Sequence, residues 1–243
     1  GDYLRLQVDR QMYRLFDQIE PALADRLPED ATGSYADWFA DPEQAALYSR
    51  SQHAGSLGPA RAIARRVDLS DARRLLDVGG GTGAFAITLC HAFPELEATI
   101  VEFPNVAKLG RDYVAEAGLS ERIRYVEGNA LETEWPDGQD VVLMSYLFSG
   151  VPGEAQPGLL AGARERLNPG GRVLVHDVVV NESRDGPKLA ALWQLQHTAF
   201  TPTARSLDDA TLRRDLSAAG FRHVRVETMI PGLTMLAEGE RPD

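Results

Sequence analysis

The run Leu75-Leu76-Asp77-Val78-Gly79-Gly80-Gly81-Thr82-Gly83-Ala84-Phe85 constrains the fold more than any other stretch of the chain. An apolar segment meets a cluster of glycines, and a helical pattern follows through Phe85, Ala86, Leu89 and Cys90. The pattern predicts a buried strand, a tight turn and the opening of a helix. Glycine suits such a turn because a Cβ would hold the backbone away from a ligand, and because the turn needs positive φ. The helix start adds free N–H groups and the positive end of a dipole. Dinucleotide sites use a similar turn, so the residues downstream decide what it holds.

A second strand over 98–101 ends in Glu102-Phe103-Pro104. An acid about 20 positions after the glycine turn is placed to accept hydrogen bonds from the two hydroxyls of a ribose. A third strand over 123–127 runs into Gly128-Asn129-Ala130 beside the same pocket. A fourth strand over 140–147, a helix over 154–167, a turn at 168–171 and a fifth strand over 172–180 follow. Helices over 188–200 and 207–219 come next, the latter stopped by Gly220, and strands near 224–229 and 233–237 form a closing hairpin. Alternating strands and helices predict an α/β fold: a Rossmann-like, doubly wound, mostly parallel seven-stranded sheet with an N-terminal helical segment. Its ligand belongs beyond the carboxyl ends of the strands.

Ahead of the glycine strand, residues 3–26 have apolar positions at helical spacing. A loop and short helix fill 27–40, a helix starts at Pro42 with Asp41 as its cap, and a separate helix covers 55–66. The domain reading is therefore a helical segment over 1–66 that roofs the pocket, and a ligand-binding domain over 67–243. A net charge of −11 argues against a nucleic-acid partner. No apolar run reaches membrane-spanning length, so no membrane partner is expected. The single cysteine, Cys90, excludes an internal disulfide and suits a reducing cytoplasm.

The motifs DVGGGTG, VEFPNV, AGLSERIRYVEGNAL and LNPGGRVLVHD, in that order, resemble the class I S-adenosylmethionine (SAM) methyltransferases. More narrowly they resemble the plant and bacterial small-molecule O-methyltransferase family that includes hydroxyneurosporene and anthracycline methyltransferases. The resemblance implies SAM as cofactor, a small-molecule substrate of specialised metabolism, and a homodimer built by a preceding winged-helix domain that is not visible here. It implies cofactor contacts at Asp77, Gly79, Gly81, Gly83, Glu102, Phe103, Asn129, Ala130 and Ser145. Asn129 stands where the family usually has an aspartate. The roof and pocket walls it implies make Tyr48, Gln52, His53, Phe148 and Trp193 candidate substrate contacts.

The family ends its fourth strand in a His-Asp-Trp motif whose histidine takes the substrate hydroxyl proton. Here Ser149, Gly150 and Val151 stand in those places, and a serine without a partner base cannot do that work. His197, with Tyr146 and Ser149, is the catalytic candidate that remains. The segment around His197 resembles the branch that methylates carbon, such as bacteriochlorophyllide C-20 and α-keto acid C-methyltransferases, where a histidine on this helix contacts substrate or a divalent metal or iron. The competing reading makes His197 a packed polar residue, and His176 and His223 are read as structural. Carbon methylation is favoured over oxygen methylation. A SAM-retaining hydroxylase or pericyclase and a catalytically silent binding partner are the alternatives.

Overall fold

The computed structural model describes residues 16–27 and 35–243. Most of the helical pattern predicted over 3–26 lies outside them, and α1 spans Ile19–Leu23. Two helices lead to the sheet, α2 (Tyr35–Ala40) and α3 (Pro42–Arg66). Then follow β1 (Arg74–Val78), α4 (Ala84–Ala92), β2 (Glu97–Glu102), α5 (Pro104–Glu116), β3 (Ile123–Glu127) and β4 (Gln139–Ser145). The chain closes with α6 (Gln156–Arg166), β5 (Leu167–Val178), α7 (Lys188–Phe200), α8 (Asp209–Ala218), β6 (Arg222–Ile230) and β7 (Thr234–Glu240).

The strands form one seven-stranded sheet in the order β3-β2-β1-β4-β5-β7-β6. Neighbours are parallel except where β7 runs against β5 and β6. This is the doubly wound α/β sheet that the alternation predicts. The order reverses between β1 and β4, which opens a crevice above their carboxyl ends. Both faces are covered, so β1 and β2 are buried along nearly their whole length. One face packs Leu75, Val141, Leu143 and Leu174 against Ile63 of α3 and Phe85 and Leu89 of α4. The other packs Leu76, Val142, Val173 and Val175 against Leu159 and Leu160 of α6 and Leu212 of α8. Each fully buried side chain of this size contributes about 1.5–3 kcal/mol.

Three boundaries differ from the sequence expectation. Residues 42–66 form one helix of 25 residues, not two. Gly55 and Gly58 face open space and keep helical backbone. Their cost of about 1 kcal/mol each is outweighed by burial of Ala45 at one end and Ala60 and Ile63 at the other. Strand β4 stops at Ser145 because Tyr146 takes φ +56, a left-handed conformation that turns the chain away. Strand β5 starts early, at Leu167, and absorbs the turn expected at 168–171, where its pairing with β4 shifts register.

The Asp41 side chain accepts from the N–H groups of Glu43 and Gln44 and so fixes where α3 begins. Asp41→Ala should cost about 1 kcal/mol of stability. Asp41→Asn should retain most of it, as denaturant titration of the two variants would show.

Candidate functional site

The crevice holds a cavity of about 410 Å³, within the range of small-molecule sites. Its floor is the turn after β1, where Gly81 has φ +59. A Cβ on Gly80 would lie 2.5 Å from the carboxyl carbon of Asp77, so the close approach itself demands glycine. Glu102, at the end of β2, accepts from Gly81 N–H at 2.8 Å and from Phe103 N–H at 2.7 Å. The Tyr125 hydroxyl donates to the Gly81 carbonyl. The turn is thus pinned from two strands before any ligand arrives.

Asp77 and Glu102 both line the cavity and are almost fully buried, at 0% and 7% exposure. Burial pushes each carboxyl up to about 7, and for Asp77 the neighbouring Glu102 adds to the rise. Among the described residues neither Asp77 oxygen has a hydrogen-bond partner of ordinary geometry. The N–H of Ala86 offers only slight relief to its charge. Such a group is costly unless a ligand satisfies it.

Helices α2 and α3 supply the roof. Tyr35, Phe39 and Tyr48 line the cavity, and Phe39 meets Phe103 edge-on at 5.7 Å. The Tyr35 and Tyr48 hydroxyls are 3.2 Å apart, and burial raises both phenols, Tyr48 to about 12. His53 stacks on Tyr113 at 3.9 Å, and its Nδ1 is 2.7 Å from the Thr82 hydroxyl, which ties the roof to the glycine turn. Its partial burial lowers the imidazole pKa.

The remaining wall comes from the end of β4 (Ser145, Tyr146, Leu147), from Gly150 to Pro152, and from Thr201 to Thr203. Ser149 is buried, and its N–H donates to Asp177 at 3.0 Å. The Ser149 hydroxyl and the N–H of Val178 also stabilise the Asp177 carboxylate, although burial still lifts it to about 6. On the other side the Gln156 amide donates to the Phe148 carbonyl. Gly150 brings its Cα against the Tyr35 ring, where a Cβ would sit 3.0 Å from the nearest ring carbon.

Of the residues singled out from sequence, the cavity gathers Asp77, Gly79, Gly81, Glu102, Phe103, Asn129, Ala130, Ser145, Tyr146, Tyr48, Gln52 and His53. Gly83 lies behind the turn as the cap of α4. Phe148 is part of the core beneath, and Trp193 packs with Val178, Val180 and Ala190. His197, expected to face the reacting group, is buried away from the cavity lining, with Nδ1 3.2 Å from the Thr201 hydroxyl. Thr201, one turn on, forms the wall instead, and burial takes the His197 pKa down to about 4. The Asn129 side chain caps its own turn: its oxygen accepts from Leu131 N–H and its amide reaches Glu132. Among the described residues no three His, Cys, Asp or Glu side chains gather to hold a metal.

Comparison with known proteins identifies this arrangement. The family profile described as an O-methyltransferase domain matches residues 15–222. The chain belongs to this family. It is 34% identical over 181 residues to the 3-hydroxy-5-methyl-1-naphthoate 3-O-methyltransferase of Streptomyces sahachiroi, covering 74% of this chain and 52% of that one. To the L-tyrosine C(3)-methyltransferase of Streptomyces lavendulae it is 36% identical over 156 residues, covering 64% and 43%. The chain therefore spans about half the length of these curated relatives. The apo structure of the S-adenosylmethionine-dependent methyltransferase SibL matches all of it (100%, and 73% of SibL) with a TM-score of 0.78 and 28% identity.

SAM, the methyl donor such a domain implies, carries a sulfonium and an ammonium group, and two buried carboxylates facing one cavity fit a cation of that kind. Several contacts of this methyltransferase-family site escaped the sequence reading: the Tyr35–Tyr48 pair, the Ser149–Asp177 latch, and a hydrogen bond of 2.9 Å between Ser145 Oγ and His176 Nδ1. The Gly in Ser149-Gly150-Val151 was the one signal for the first, since it leaves room for a ring.

The raised pKa of Asp77 has a stability consequence. Its folded value lies above its unfolded one, so its favourable contribution is full below about pH 4 and is lost as pH rises to about 7. Asp77→Asn should therefore stabilise the ligand-free protein by about 2–4 kcal/mol above pH 7, at about 1.4 kcal/mol per pKa unit, and by little near pH 4. Denaturant curves at the two pH values that showed no difference in the gain would refute the assignment.

Proposed function

We propose that this protein is a SAM-dependent methyltransferase acting on a small molecule of specialised metabolism, with an electron-rich aromatic carbon as the preferred acceptor. The observation that carries the choice of carbon is the state of Ser149. It occupies the place of the family's base, yet it is buried, outside the cavity lining, and engaged with Asp177. A hydroxyl acceptor would find no base there. A ring carbon needs instead a correct approach to the methyl group, and the aromatic roof of Tyr35, Phe39 and Tyr48 supplies a flat surface for it. The tyrosine C(3)-methyltransferase among the relatives performs chemistry of this kind by name. Oxygen methylation is the second reading, favoured by the naphthoate 3-O-methyltransferase and by the family description.

SAM, when bound, supplies an electrophilic methyl group. Glu102 would hold its ribose through charge-assisted hydrogen bonds, Asp77 would face its cationic part, and Phe103 would cover its adenine. The residues of the chain otherwise orient the acceptor and keep water out.

Turnover of phenols and naphthols with isotope-labelled SAM, followed by NMR of the product, distinguishes a ring methyl from a methoxy group. A methoxy product from every acceptor would overturn the carbon reading. Glu102→Ala should weaken SAM binding by about 1.5–3 kcal/mol in calorimetry. Ser149→Ala should keep turnover within about tenfold of the parent, whereas loss of a true base costs roughly 10²–10⁴-fold.

A further inference from the structure

The sheet register places three polar side chains in a row. Ser145 and His176 are direct partners in the parallel pairing of β4 and β5. Thr234 of β7 lies diagonally across from His176, two positions from its partner Leu236. All three point to the same face, and they touch: Ser145 Oγ is 2.9 Å from His176 Nδ1, and His176 Nε2 is 3.0 Å from Thr234 Oγ1. Ser145 lines the cavity, while His176 and Thr234 are buried behind it.

We propose that Ser145 and His176 take up the proton that methyl transfer releases, with Thr234 fixing the imidazole tautomer. This rests on the methyltransferase reading above. Replacing a ring hydrogen by methyl frees one proton: the new carbon–carbon bond forms, the ring C–H bond breaks, and its electron pair restores the aromatic ring. That proton goes to Ser145 Oγ as the serine's own proton passes to Nδ1 of His176. The imidazolium so formed keeps its Nε2–H on Thr234, and returns the proton through Ser145 to water once the product has left.

The surroundings match this task. A residue acting as acceptor must be neutral at rest, and burial holds the His176 pKa at about 4. Tyr146 stands edge-on to the ring at 4.7 Å and Phe85 lies at 5.9 Å, which keeps it dry and oriented. The left-handed backbone of Tyr146, beside Ser145, is the kind of strain found at working sites. A weak base of this kind is sufficient against a methylated, still non-aromatic ring, which is a strong acid.

Two measurements test it. In the ligand-free protein, nitrogen NMR of the imidazoles should find His176 neutral with its proton on Nε2, and Thr234→Val should abolish that preference. In single-turnover experiments Ser145→Ala should slow appearance of the aromatic product about 10²-fold with SAM affinity unchanged, and Ser145→Thr should restore most of the rate. A proton on Nδ1 in the parent, or a Ser145→Ala variant within threefold of it, overturns the proposal. So does a Ser145→Ala variant that loses only SAM affinity, since that marks a cofactor contact. Failure of the parent to convert SAM with any phenol would sink the methyltransferase reading instead, while the ring proton would still decide the relay.

Discussion

Two carboxylates buried side by side at the ends of neighbouring strands set the terms for the rest of the fold. Asp77 and Glu102 are carried on β1 and β2, whose parallel register fixes their spacing, and the cavity between them is lined by no Lys or Arg among the described residues. Burial makes ionisation of both unfavourable. A positively charged ligand reverses that balance, because it favours the ionised form of each. Binding of a cation, release of protons and stabilisation of the fold are therefore one linked event. The glycine turn, held by Glu102 and Tyr125, is the part of the backbone that makes the approach to these acids close enough.

The long helix α3 joins this site to the core. Its carboxyl half packs Ala60 and Ile63 into the sheet's core, and its amino half carries Tyr48, Gln52 and His53 over the cavity. Because the helix is unbroken, the roof is referenced to the same sheet that carries the acids. The His53–Thr82 contact then sets the height of the roof above the glycine turn. Two separate helices with a break before Gly55, the sequence expectation, would leave that distance free to vary.

What was legible in the sequence was what depends on neighbours along the chain. The glycine turn, the acid ending β2 and the capped start of α3 are local patterns, and each is in place in the structure. Contacts set by register between distant strands were not legible. His176 meets Ser145 only because β4 and β5 align those positions, and Ser149 meets Asp177 through the turn after β4. His197 shows the limit most clearly. Trp193 and His197 do share a helix face, with rings 6.3 Å apart. Which way that face points is decided by packing of Trp193 beside Val178 and Val180 of the β5 segment, and no periodicity within α7 encodes it.

The small residues at 149 and 150 shape the adjoining wall of the cavity. A histidine at position 149 needs room and a route to the cavity. Serine is small enough to turn inward, where its N–H and hydroxyl are both consumed by Asp177. Glycine at the next position removes the side chain that would otherwise hold Tyr35 away, so the phenol ring moves onto the backbone there. The corner at 149–150 is thus part of an aromatic wall continuous with Phe39 and Tyr48. Such a wall gains its binding from contact with a flat ring. The hydroxyl of Ser145, backed by His176, lines the same cavity and remains open to it.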